Sequence, residues 1–118
     1  MKGLTKQQKV NAGLRLLDNH YNITLNAIKV NVHNTIEHEL AKAKVAYFLI
    51  KSKKDIVVEA IFRGGGRADI FVPETMQVYE ILKSEKLGES ELKKNYYPPE
   101  VDLLPLESTY VLSDGWCL

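Results

Sequence analysis

The chain has 118 residues, 45% of them hydrophobic and 26% charged, with a formal net charge of +1. That size supports one core and one domain over 1–118, and the charge balance excludes nucleic-acid binding through bulk basicity alone. The single cysteine, Cys117, excludes an internal disulfide and a cysteine-built zinc site. No apolar run approaches the ~20 residues of a membrane span, and MKGLTKQQKV lacks the apolar centre of a signal peptide. A cytoplasmic, intracellular protein without a membrane partner is expected.

Residues 5–18 read as a helix: Thr5 and Gln8 form a capping box, and Val10, Leu14 and Leu17 recur at helical spacing. Residues 20–33 are ambiguous. Ile28, Val30 and Val32 alternate like a strand, while Thr24 to Lys29 could form a helical turn. This segment suits a lid, an arm for a partner or a dimer contact. Residues 35–53 read as the longest helix, with Asn34 as N-cap and Glu37 three residues on. Ile36, Leu40, Ala43, Tyr47 and Ile50 mark one apolar line, and Ala41, Val45 and Phe48 a second beside it. Glu37 lies on the second line and is expected on the core side, or else to serve only as the capping glutamate. His38, Glu39 and Lys42 are expected on the exposed side.

Residues 55–62, DIVVEAIF, read as a strand covered on both faces, interrupted by Glu59. Arg63 to Arg67 form a tight glycine-rich turn, without the pattern of a phosphate-cradling loop. Ala68–Val72 and Gln77–Ile81 read as a β-hairpin broken at Pro73-Glu74-Thr75. A hairpin centred between Glu74 and Thr75 sets Asp69 opposite Glu80. Phe71 and Val78 then share their face, while Ala68 with Ile81 and Ile70 with Tyr79 fill the other. A preceding turn centred on Gly64 sets Glu59 opposite Asp69. Three adjacent strands then carry Glu59, Asp69 and Glu80 side by side. Directly opposed residues bring their Cβ atoms within roughly 4.5–5.5 Å, where like charges destabilise a sheet. A bound cation relieves that repulsion; an alternative is pairing with Arg63 and Arg67. Residues 88–96 read as a short helix and 101–106 as a further strand. In the tail, Tyr110, Val111, Leu112 and Trp116 are expected to pack on the domain or on a second subunit.

The order of helix, three strands, helix, strand resembles the PD-(D/E)xK nuclease superfamily, which includes restriction-type endonucleases and archaeal Holliday junction resolvases. The matching pieces are Glu37-His38 with Ala41-Lys42, then Gly66-Arg67-Ala68-Asp69-Ile70, then Tyr79-Glu80-Ile81 before Lys83-Ser84-Glu85. They fall within residues 34–106. The resemblance implies an α/β, restriction-endonuclease-like fold, with a central mixed four-stranded sheet flanked by helices and an extra N-terminal helix. It implies a Mg²⁺- or Mn²⁺-dependent DNA endonuclease, acting as a homodimer, with branched DNA as one possible substrate class. Asp69, Glu80 and the backbone carbonyl of Ile81 would hold the metal, Glu59 beside them, and Glu37 would reach it directly or through water. The family's lysine, two residues after the glutamate, is Leu82 here. Lys83 would replace it only if a bulge near Leu82 re-aims the strand. The competing expectation is a nuclease-fold protein that is catalytically weak or inactive and serves as a DNA-binding or assembly module.

Overall fold

The computed structural model describes residues 3–19, 22–82 and 97–118. Helix α1 spans Lys6–Leu14, shorter than the sequence suggests. Its N-cap Thr5 accepts from the Gln8 N–H, and the Gln8 side chain returns the bond to the Thr5 N–H. Helix α2 spans Ile36–Lys51. Its N-cap is Thr35, one residue later than expected, and Thr35 Oγ1 accepts from the His38 N–H at 3.1 Å. His38 therefore takes the third helical position expected for Glu37.

Four strands, β1 (Val57–Ile61), β2 (Arg67–Val72), β3 (Gln77–Leu82) and β4 (Asp102–Glu107), form one mixed sheet in the order β1-β2-β3-β4. The first three are antiparallel neighbours, and β4 runs parallel to β3. Pro105 in β4 pairs with Glu80 and is exposed. An edge strand tolerates a proline because its outer N–H side has no ladder to serve. A one-turn helix, α3 (Ser108–Val111), follows directly. The helix expected at 88–96 and Lys83 lie outside the described residues.

Both predicted registers are present. Val58 pairs with Ile70 and Ala60 with Ala68 around the glycine turn; Ile70 pairs with Tyr79 and Phe71 with Val78 around the hairpin. The sheet is covered on both faces. On one face Val45, Leu49 and Ala41 of α2 pack on Val58, Ile70, Val72, Tyr79 and Ile81, with Val111 of α3. On the other, Leu17, Tyr97 and Val101 pack on Val57, Ala60, Phe62, Ala68, Phe71 and Val78. Phe62 stands edge-on to both Phe71 and Tyr97.

One expectation about these faces is overturned. Ala68 lies with Phe71 and Val78, not with Ile70 and Ile81. Likewise Val58 and Ala60, two apart, sit on opposite faces. The alternation reverses at Glu59 and Asp69, which face each other by register but are absent from the paired positions. Glu59 has a φ of 55°, a conformation uncommon outside glycine. The reversal there opens the ladder at the level of the carboxylates.

In the tail, Val111 enters the core as expected, and Trp116 packs edge-on against Phe48. Tyr110 is exposed. Helix α1 docks against the β2–β3 turn through Gly13, where an added Cβ would fall on the Pro73 backbone. Gly13→Ala gains helix propensity of about 1 kcal/mol, yet the overpacking it forces costs typically 1–3 kcal/mol. The net result is destabilisation, read as a lower denaturant midpoint at unchanged slope.

Candidate active site

Asp69, Glu59 and Glu80 meet at one cleft of about 390 Å³, which Asn31, Asn34, His38, Gly65, Gly66, Arg67 and Tyr97 also line. Each strand delivers its carboxylate for a local reason. The glycine turn is closed by bonds from Phe62 N–H to Gly66 O (2.8 Å) and from Gly65 N–H to Phe62 O (2.9 Å). Gly65 sits at a φ of 96°, which glycine adopts at little cost. That closure fixes the register of β1 and β2, and hence the level of Glu59 and Asp69. Where the β2–β3 ladder opens, the Asp69 side chain takes over, and its Oδ2 accepts from the Ile81 N–H at 2.8 Å.

Glu80 is 1% exposed. Its Oε1 is hydrogen-bonded with the Tyr97 hydroxyl, whose oxygen also lies 2.8 Å from the Arg67 carbonyl, so the one phenol proton serves one of the two acceptors at a time. Burial and the adjoining Glu80 push the Tyr97 phenol far above its usual range, so it remains a donor. Burial alone would push the Asp69 carboxyl up. The His38 hydrogen bond, the Ile81 N–H, the charge on His38 and a hydrogen bond with Glu80 together hold it below the usual carboxylate range.

Helix α2 supplies the positive charge. His38 is half-buried, with Nε2 3.3 Å from Asp69 Oδ2 and Nδ1 2.9 Å from Glu39 Oε2. Both ring nitrogens face carboxylates, which is the donor pattern of imidazolium. The Asp69 hydrogen bond raises the His38 pKa against the opposing effect of burial, with Glu39 adding to the rise. Lys42, one turn on, is 1% exposed. Its Nζ reaches Glu39 Oε1 at 2.7 Å and Glu59 Oε1 at 3.2 Å. Lys42 does not line the cleft itself; it stands behind Glu59. Glu39 further accepts from the Asn31 N–H (2.6 Å) and Asn34 Nδ2 (3.0 Å).

These positions correct several expectations. His38, Glu39 and Lys42 are not on the exposed side of the helix but against the sheet. Glu37 keeps to the line of Ala41 and Val45, yet at that end of α2 the line meets α3. Its Oε1 accepts from Ser108 Oγ at 2.6 Å, away from the other carboxylates. Arg63 and Arg67 do not pair the carboxylates: Arg63 Nε donates to the Leu17 carbonyl at 3.2 Å, and Arg67 is exposed at the cleft rim. The β3–β4 ladder is continuous through Leu82, paired with Glu107, so no bulge re-aims the strand up to that residue. His38, Lys42 and Tyr97 are side chains at or behind the cleft to which the sequence reading gave no role. The four-residue spacing of His38 and Lys42, which places both on one face of a helix, was the available signal.

The chain matches no family model, no curated protein and no solved structure. No described helix is long and apolar enough to cross a membrane.

The Glu39 carboxylate gives a pH test. Burial would raise its pKa; hydrogen bonds from Lys42, Asn31, His38 and Asn34 outweigh that and lower it from 4.5 to about 2. A depressed folded-state pKa contributes stability above the unfolded value, lost as pH falls toward the folded one. Glu39→Gln therefore costs about 1.5–3 kcal/mol at neutral pH, the range of hydrogen bonds to charged groups. The gap between the two proteins closes as pH falls from 4.5 toward about 2, measured by denaturant unfolding at each pH.

Proposed function

We propose that this protein is a restriction-endonuclease-like, divalent-metal-dependent DNA nuclease whose centre is the cleft around Asp69 and Glu80. The observation that carries the proposal is the pair of carboxyls itself, brought from adjacent strands into one cleft at the opening of the ladder. Two carboxyls in contact need a proton between them or a cation in its place.

The residues fit Mg²⁺ or Mn²⁺. The donors are hard oxygens, and a Mg²⁺ site uses one or two carboxylates with water and substrate phosphate rather than a complete protein cage. Asp69 and Glu80 would hold the ion. When bound, it supplies Lewis-acid stabilisation of charge developing on a phosphoryl oxygen.

The chain's own groups do the rest. Tyr97 and the Ile81 N–H fix the two carboxyls. His38 presents a positive, half-buried donor at the cleft wall, where it offsets negative charge on an approaching phosphate. Lys42 holds Glu59, and through it the strained turn of β1. Glu59 opens on the same cleft and is the carboxylate placed to accept a proton from water. Gly65, Gly66 and the exposed Arg67 at the rim suit contact with a phosphodiester backbone. Branched DNA is the substrate class the family resemblance favours.

A second reading has its own support. Leu82 occupies the lysine position, and Lys42 is committed to two carboxylates. Both observations favour a weak or inactive nuclease fold that binds DNA.

Cleavage of duplex and four-way-junction DNA in Mg²⁺ or Mn²⁺, with chelator controls, separates the two. The native protein cleaves. Asp69→Asn and Glu80→Gln lose at least about 10²-fold in rate, comparable with removing one charge-stabilising donor, while retaining cooperative unfolding. Salt-sensitive DNA binding without cleavage supports the second reading; binding to neither DNA at low salt defeats both.

A further inference from the structure

Of the 16 lysines and arginines in the chain only Arg15, Arg63 and Arg67 are arginines, and all of them stand around one turn. Arg63 and Arg67 bracket Gly64 to Gly66. Arg15, the C-cap residue of α1, lines a groove of about 490 Å³ together with Arg63 and Gly64. Each arginine is exposed, and among the described residues none forms an ion pair. Glu100 lines the same groove and is exposed, so two cations there face one acid. The other walls are apolar, from Leu16, Tyr97, Pro98 and Pro99.

Backbone bonds hold the two arginines of the groove side by side. The segment after α1 is stitched to the end of β1: Asp18 N–H donates to the Ile61 carbonyl at 2.8 Å, and Arg63 N–H to the Leu16 carbonyl at 3.1 Å. Arg63 Nε donates to the Leu17 carbonyl at 3.2 Å, which anchors one corner of the guanidinium and leaves its two Nη groups for a ligand. Like charges fixed near one another repel unless an anion lies between them. The planar guanidinium fork matches the oxygens of a phosphate, whereas lysine offers only a point charge.

The groove adjoins the carboxylate cleft. Tyr97 lines both, and the glycine turn divides them, with Gly64 on one side and Gly65 and Gly66 on the other. A Cβ added at Gly65 would meet nothing within 4 Å, so the space over the turn is open. A strand crossing it meets no side chain between the carboxylates and the guanidiniums.

We infer that the Arg15–Arg63 groove is a second phosphate subsite, which holds the DNA backbone beside the phosphodiester in the carboxylate cleft. The inference rests on the reading of this protein as one that engages DNA, and it is the same whether or not the cleft cleaves. It gives α1, which lies outside the stretch that resembles the nuclease superfamily, a part in substrate binding.

Fluorescence anisotropy of a labelled duplex, titrated with the full chain in chelator over a range of salt, tests it without metal-dependent cleavage. Arg15→Gln combined with Arg63→Gln reduces the steepness of log affinity against log salt by about 0.9, the share of one neutralised phosphate. Lys51→Gln combined with Lys53→Gln removes the same charge at and just beyond the C-terminal end of α2, and leaves the slope unchanged. Arg15→Gln alone, which breaks no side-chain hydrogen bond among the described residues, weakens binding several-fold and keeps the native unfolding midpoint. Native binding whose slope ignores the arginine pair, or responds equally to the lysine pair, overturns the inference and leaves DNA recognition at the carboxylate cleft standing. Absence of DNA binding by the native protein at low salt overturns both.

Discussion

The constraint on which the structure turns is the placing of three carboxylates at one level of an antiparallel sheet. Glu59, Asp69 and Glu80 are brought together by two short turns, and a regular ladder would press their charges directly against one another. The sheet responds by opening there. Glu59 leaves the strand conformation, the alternation of β1 and β2 reverses, and Asp69 replaces a backbone acceptor for Ile81 N–H. Strained backbone of this kind costs of order 1–3 kcal/mol and persists where surrounding contacts over-determine it. Here those contacts are the Phe62, Phe71 and Tyr97 cluster on one face and α2 on the other.

Helix α2 both covers the sheet and neutralises it. Its core line of Ala41, Val45 and Leu49 seats the helix, and that seating carries His38 and Lys42 to the carboxylates. Glu39 links the two cations and is itself held by Asn31 and Asn34. The loop preceding α2 is thereby tied to the site through a single side chain. A buried lysine between two carboxylates is weak evidence for net stability, since desolvation offsets attraction, but loss of either partner is costly. The network thus holds the side chains of the cleft in place.

The hairpin registers were legible because glycine at 64–66 and proline at 73 are local signals, and each turn fixes its strand pairing without distant help. The strand read at 101–106, which forms over Asp102–Glu107, and the Thr5 cap were legible from local pattern too. The reversal at Glu59 was not, because no glycine or proline marks it; it arises from crowding between strands. Nor was the polarity of α2. Two apolar lines lie side by side on that helix, and periodicity cannot say which is covered. The sheet takes Ala41–Val45 and leaves Ile36–Leu40–Tyr47 in water, which carries His38 and Lys42 inward. Tyr97 could not be assigned because its partners, Arg67 and Glu80, are remote in sequence. Glu37 was misplaced because what stands over its end of the helix is α3, again a tertiary fact.

The central proposal is that a divalent cation binds between the Asp69 and Glu80 carboxyls, in place of the proton that two such groups otherwise need. Titration calorimetry with Mn²⁺, repeated in buffers of different ionisation enthalpy, measures binding and proton release together. The account predicts a single site whose heat depends on the buffer because protons leave as the ion binds, and which is lost in both Asp69→Asn and Glu80→Gln. Absence of saturable binding at millimolar Mn²⁺, or binding that survives both substitutions, would contradict it.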